Sequence, residues 1–262
     1  MEAPPGWSVL AASVAGSSHL REGRECEDAH DVCHLGGGQI CVAVADGAGS
    51  ARFGGLGAAT AVAAATGAVR ESLSVSSPTT DAEWANLMNL AFASALQAIH
   101  ERSDQESTDA IRPTVADFAC TLLLVIAGPA WTIGAQVGDG LTAVEEGQAM
   151  NIFTGPDRGE YLNETTFLTS ARYRDTLRVC VREGSVDGFV MMTDGLEPLA
   201  TNLATGALHH PFFAPLLGFA RSETGSVEEL EDFLRSSRVC DRTDDDKTLA
   251  IVVRLHDAKE AG

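Results

Sequence analysis

Two apolar runs in this chain end directly on an Asp-Gly pair: Gln39 to Ala45 (QICVAVA) before Asp46-Gly47, and Gly188 to Thr193 (GFVMMT) before Asp194-Gly195. Both are short and aliphatic, bounded by glycine turns, and read as strands. A carboxylate at the end of a buried strand stands at the rim of the core. Several such carboxylates together repel one another and resist ionisation unless a cation neutralises them. Any fold for this chain must deal with that charge.

The chain has 262 residues, of which 37 are acidic and 18 basic, leaving a net charge of −19. With 45% hydrophobic and 21% charged residues it has the material for a core, which excludes disorder of the whole. A polyanion without a run of basic residues is a poor partner for nucleic acid or an anionic membrane surface. Met1 to Gly16 carries Glu2 and no basic region before its apolar stretch, so no secretory signal is expected. Gly54 to Val69 and Phe118 to Gly128 fall short of the roughly 20 apolar residues of a membrane span. A soluble, cytoplasmic protein is expected. Its six cysteines include no C-x-x-C pair, which predicts reduced thiols with neither a zinc knuckle nor a disulfide framework.

Along the chain, Trp7 to Gly16 reads as a strand, Ser17 to Asp28 as a polar stretch and Gln39 to Ala45 as the second strand. Gly54 to Leu73, rich in Ala and Gly, reads as a helix packed closely on a sheet. After a linker over Ser74 to Thr80, Asp81 is the expected N-cap of a second helix. In it Trp84, Leu87, Met88, Ala91, Phe92, Ala95, Leu96 and Ile99 fall at three- and four-residue spacing. Strands follow over Phe118 to Ala127, Trp131 to Val137 and Leu141 to Glu145, with turns at Gly128-Pro129 and Gly138-Asp139-Gly140. Asn151 to Thr165 reads as a variable connection. Leu177 to Arg182 and Gly188 to Thr193 are strands joined through Gly184. Leu196 to Leu203, Phe212 to Arg221 and Val227 to Ser237 read as helices, the last capped by Ser226, and Thr248 to Leu255 as the final strand. Helices enter in pairs between runs of strands, which predicts a sheet sandwich with helices outside. With no repeat and no linker, residues 1–262 read as a single domain.

Five acidic positions stand out: Glu27-Asp28, Asp46-Gly47, Asp139 in VGDG, Asp194-Gly195 in MMTDG and Asp245 in TDDDKT. Taken singly, each has an ordinary explanation. Asp-Gly is a common turn, Asp194 fits the N-cap of a helix starting at Leu196, and Asp244 to Asp246 fits a solvated turn. Taken together, carboxylates without His or Cys partners suit Mg²⁺ or Mn²⁺. Two such ions about 4 Å apart can activate water for in-line phosphoryl displacement.

The blocks GRECEDAH (Gly23 to His30), VADGAGSARFGGLGA (Val44 to Ala58), CTLLLV (Cys120 to Val125), QVGDG (Gln136 to Gly140), MMTDG (Met191 to Gly195) and DDKTLAIVV (Asp245 to Val253) occur in order across nearly the whole chain. This ordered set resembles the metal-dependent protein phosphatases of type 2C, in a divergent bacterial form. The resemblance implies an α+β fold, a four-layer αββα sandwich of two antiparallel sheets flanked by helix pairs. It also implies a serine/threonine phosphatase that cleaves phosphoserine and phosphothreonine with a metal-activated water at a binuclear Mg²⁺ or Mn²⁺ site. Carried over by position, Asp46 bridges both ions, the Gly47 carbonyl is a ligand, Glu27 or Asp28 lies beside them, and Asp194 and Asp245 complete the ligands of the second ion. Asp139 matches a residue that helps hold a third, weaker ion. Thr121 and Thr248 match small hydroxyl residues, and Asp246 stands where many relatives have Asn. Phosphorylated proteins are the implied substrates and a cognate serine/threonine kinase an implied partner, with the protein acting as a monomer.

The chain departs from the family pattern at two places. Arg21 and Arg24 both precede the Glu-Asp pair as candidates to hold the substrate phosphate, with Arg24 preferred. Ala48 occupies the position where some relatives carry a His that protonates the leaving group. His19 and His30 lie nearby, and a histidine beside a turn is more often a surface or hydrogen-bonding residue. Gly47 to Arg52 lacks the third glycine of a dinucleotide loop, and no G-x-S-x-G elbow is present. The rival reading is a pseudophosphatase, a phosphoprotein-binding regulatory module without turnover. Retention of Asp46, Asp194 and Asp245 argues against it.

Overall fold

The computed structural model describes residues 6–108, 110–147, 149–156, 165–202, 205–222 and 224–255. In chain order its elements are β1 (Trp7–Val14), α1 (Ser17–Glu22), β2 (Ala29–His34), β3 (Ile40–Ala45), α2 (Gly54–Val75) and α3 (Asp81–Gln105). Then come β4 (Leu122–Ala127), β5 (Trp131–Val137), β6 (Leu141–Glu146), β7 (Ala149–Thr154), α4 (Tyr173–Thr176), β8 (Arg178–Glu183) and β9 (Gly188–Met192). The chain closes with α5 (Glu197–Ala200), α6 (His210–Arg221), α7 (Val227–Arg235), α8 (Ser237–Cys240) and β10 (Lys247–Arg254). The strands form two five-stranded antiparallel sheets, ordered β1-β10-β9-β6-β7 and β2-β3-β4-β5-β8.

The near-continuous apolar strands follow from burial on both faces. In β3, Ile40, Val42 and Val44 point between the sheets, while Cys41, Ala43 and Ala45 point toward α2 and α3. In β10, Ala250 and Val252 enter the space between the sheets, and Leu249, Ile251 and Val253 pack under α6 and α7. Three apolar layers therefore separate four layers of structure, α on β on β on α, as the family resemblance implies. The small residues of α2 permit the close approach: a Cβ on Gly57 would stand 2.1 Å from the Phe118 carbonyl oxygen.

Several elements differ from the sequence reading, each for a physical reason. The sequence reading places no element over Ala29–His34, where β2 (AHDVCH) lies. It is an edge strand whose side chains are mostly half-buried, so it lacks an apolar run. At the other sheet's edge β7 (AMNIFT) is largely exposed, its apolar residues interrupted by Asn151, and it occupies part of the expected variable connection. Ser17–Glu22 is helical without any side-chain N-cap and ends on Gly23 at φ 70°, a left-handed stop that glycine provides. Thr80, not Asp81, caps α3: its hydroxyl accepts the Glu83 N–H while the Glu83 carboxylate takes the Thr80 N–H. Phe118 ends a 3-10 turn instead of starting a strand. The helix expected from Leu196 shrinks to Glu197–Ala200, and Leu203 lies outside the described residues. All six cysteines are free thiols.

Candidate metal centre

All six residues of β3 are buried, and the strand delivers Asp46 to the end of the sandwich. The backbone there is clamped from three sides. Asp46 N–H donates to Thr121 Oγ1 at 2.9 Å, Thr121 N–H donates to the Asp46 carbonyl at 2.8 Å, and Gly47 N–H donates to the Glu27 carbonyl at 3.1 Å. No side chain fits at 47, because a Cβ would stand 2.4 Å from the Gly54 carbonyl carbon and 2.6 Å from the Glu27 oxygen. Thr121 thus holds the strand end that presents Asp46.

Other strand ends converge on the same place. Asp194 follows β9 and opens the 3-10 turn Asp194–Leu196, its side chain accepting the Gly195 N–H and lying beside Asp46. A Cβ at Gly195 would come within 2.0 Å of the Asp246 carbonyl, so that turn lies flush against the start of β10. Asp139 sits in the turn between β5 and β6 and accepts the Thr165 hydroxyl. Carboxylate oxygens of Asp46, Asp139 and Asp194 all lie within 4.8 Å of one another. They line a cavity of about 260 Å³ together with His19, Gly47, Ala48, Gly49, Ser50, Thr165, Phe167, Asp245 and Asp246. Asp28 is buried behind them, accepting the Thr193 hydroxyl at 2.7 Å.

The electrostatics follow from this crowding. Burial, then repulsion from Asp28, Asp194, Asp139 and Asp245, pushes the Asp46 carboxyl up to about 10. Burial likewise raises Asp194 to about 7, with Asp139 and Asp245 adding to it, and raises Asp28 to about 8 against the opposing Thr193 hydrogen bond. Asp139 Oδ1 and Glu27 Oε2 are buried without any hydrogen-bond partner. A cluster made of three carboxylates, mutually repulsive and partly bare, suits a hard divalent cation. The residues present fit Mg²⁺ or Mn²⁺.

Asp46, Gly47, Asp139, Asp194 and Asp245 share the one cavity, with Glu27 and Asp28 next to its wall. Neither candidate arginine is in its lining. Arg24 pairs with Glu27 at 2.6 Å and Glu22 at 3.3 Å, and Arg21 donates to the Ser17 carbonyl and to Asp244, with its side chain 71% exposed. His30 lies 2.8 Å from Ser13 Oγ, which in turn reaches Thr248 Oγ1 at 2.6 Å, a hydrogen-bonding role inside the sandwich. His19, read from the sequence as a surface or hydrogen-bonding residue, and Asp246 both line the cavity. Asp246 is buried and accepts Gly16 N–H on Oδ1 at 2.7 Å, and His19 Nδ1–H on Oδ2 at 2.9 Å. Nothing in TDDDKT distinguishes the aspartate that turns inward, since the contacts come from residues more than 200 positions away.

A profile described as Protein phosphatase 2C matches residues 15–235 of this chain. The chain belongs to the protein phosphatase 2C family. Serine/threonine-protein phosphatase 3 of Escherichia coli K12 is 34% identical over 256 residues, spanning 94% of this chain and 98% of that protein. Among solved structures, the Mycobacterium tuberculosis serine/threonine phosphatase PstP superposes with a TM-score of 0.65 at 13% identity, over 95% of this chain and 99% of that one. Staphylococcus aureus Stp1 superposes at 0.63 and 14% identity, over 97% of both chains. A PstP catalytic domain in complex with two manganese ions superposes at 0.61 and 14% identity, over 95% of this chain and 99% of that one. At such identities the superpositions speak for the fold, which this phosphatase shares. No helix among its described residues is long and apolar enough to cross a membrane.

Proposed function

We propose that this protein phosphatase hydrolyses phosphoserine and phosphothreonine esters in proteins with two divalent ions, Mn²⁺ or Mg²⁺, held at Asp46, Asp139, Asp194 and Asp245. The observation that carries the reading is the set of three carboxylates whose oxygens lie within 4.8 Å of one another in a cavity open to substrate. When bound, divalent ions supply a Lewis acid for the phosphoryl oxygens and lower the pKa of water.

The chain's own residues prepare that chemistry. Asp46 is central because its strand end is clamped by Thr121 and Glu27, so the backbone that carries its carboxylate is already in place. The Gly47 carbonyl is the proposed second donor from the same turn. Glu27 offers a bare Oε2 to bound water, and Asp28 adds buried negative charge that strengthens cation binding. Ala48 carries no acid or base, so a proton for the departing serine or threonine oxygen must come from another group or from solvent. The proposal extends to a third, weaker ion near Asp139, to action as a cytoplasmic monomer of one domain, and to a cognate serine/threonine kinase whose products it reverses. A binding module without turnover has no use for buried carboxylates that destabilise it, which favours the enzyme over the regulatory reading.

The test is phosphate release from a phosphothreonine peptide in MnCl₂, in MgCl₂ and in EDTA, beside Asp46→Asn. Release that needs metal and disappears in the variant is the expected result. A folded, metal-loaded protein that releases nothing from several phosphopeptides would overturn it.

A further inference from the structure

We propose that His19 is a substrate-contacting residue of this phosphatase, its Nε2 donating to the phosphate group of the ester, a task for which neither Arg21 nor Arg24 is placed. The inference rests on the phosphatase reading above. His19 belongs to α1, its side chain is 10% exposed, and it lines the same cavity as Asp46, Asp139 and Asp194. Among the described residues it is the one basic side chain on that lining; the charged remainder are aspartates. A phosphomonoester entering a carboxylate-lined cavity needs a charge-assisted donor from the protein.

The ring's orientation is set by its partner. Asp246 accepts Gly16 N–H on Oδ1 at 2.7 Å and Glu27 N–H on Oδ2 at 2.5 Å, so both oxygens act as acceptors toward backbone donors. The hydrogen shared with His19 therefore sits on Nδ1, and Nε2 is the nitrogen left for the cavity. Donation from Nε2 requires the imidazolium form, with Nδ1–H held by Asp246 and Nε2–H left for the ester in the cavity that His19 lines. A carboxylate at 246 suits this role better than an amide. An amide would turn an NH₂ group toward either the Gly16 N–H or the His19 Nδ1–H, and one of those bonds would be lost. The same carboxylate ties α1 to the Glu27 backbone, so the donor is registered against the acids beside which the ester must bind.

Two substitutions separate substrate contact from a positioning role through Asp246. His19→Asn keeps a donor near the Nδ1 position and removes Nε2; His19→Gln keeps an amide near Nε2 and gives up the Asp246 bond. On a phosphothreonine peptide in MnCl₂, His19→Asn should lower kcat/KM about 10- to 100-fold, the scale of one charge-assisted hydrogen bond. Inhibition by inorganic phosphate should weaken alongside it, the Mn²⁺ activation midpoint should hold, and His19→Gln should recover part of the loss. In the wild-type protein with Mg²⁺, the ¹⁵N resonance of His19 Nε2 should shift when inorganic phosphate is added. A His19→Asn enzyme at the wild-type rate, or an Nε2 resonance indifferent to phosphate, would overturn the inference while leaving the phosphatase reading intact. A metal-loaded wild type that releases no phosphate would remove both.

Discussion

Between the sheets, Ile40, Val42 and Val44 of β3 pack with Leu123, Val125, Phe189 and Met191 in a layer of apolar side chains, whereas at the end of the same strand Asp46 faces four other carboxylates. The first region is held by burial alone, and each side chain can be exchanged for another of its volume at modest cost. The second is held against its own electrostatics. Its backbone is clamped by Thr121, Glu27 and the glycines at 47 and 195, and its charges gain nothing until a cation arrives. Stability and chemistry are thus separated along one strand, with the interior supplying the free energy that the rim consumes.

The largest expected effect sharpens that contrast. Asp46→Asn should reduce turnover roughly 1000-fold or more by removing the central carboxylate, yet in EDTA it should raise the thermal midpoint by relieving buried repulsion. A variant that loses both activity and metal-free stability would contradict the division. Next, Phe189→Ala, in the layer between the sheets and edge-on to Trp7 at 6.2 Å, should cost about 3–5 kcal/mol in urea unfolding. Its kcat per folded molecule should be unchanged, which assays at a temperature below the new midpoint can check.

A smaller effect is expected from pH. Unfolded aspartates titrate near 3.9, while burial lifts Asp194, Asp28 and Asp46 to about 7, 8 and 10. Between those limits the folded, metal-free protein binds more protons than the unfolded chain, so its stability falls as pH rises. The midpoint in EDTA should therefore be lower at pH 8.5 than at pH 5.5, and Mn²⁺ should stabilise more at the higher pH, where protons no longer compete. Asp46→Asn should flatten the slope; an unchanged slope would assign it to the net charge of −19 instead. The smallest change, Thr80→Ala, removes the capping hydroxyl of α3 far from the rim and should cost about 1 kcal/mol with no effect on turnover.

Strands buried on both faces were legible because apolar runs and turn glycines are local signals, and β3, β4, β9 and β10 fall within a few residues of where they were read. Edge strands β2 and β7 were not, because half-exposed strands lose the apolar run that marks them. The site divides in the same way. Asp46, Asp139 and Asp194 carry their signal in the turns around them, and the ordered family blocks add to it. Arg24 satisfies its position in the sequence but is drawn to Glu22 and Glu27, a choice made by neighbours whose side-chain directions no pattern specifies.

The sequence by itself determined a sheet sandwich with helices outside, through hydrophobic period and turn chemistry, and the order of its motifs carried the family resemblance that implied the four antiparallel layers. Only the tertiary structure decided which charges meet. Asp246 becomes the anchor of His19, Gly16 and Glu27, and Arg21 is left at the surface, because those outcomes depend on packing β10 against the segment that follows β1. Coulomb and hydrogen-bond energies act over a few ångströms of space, whatever the distance along the chain.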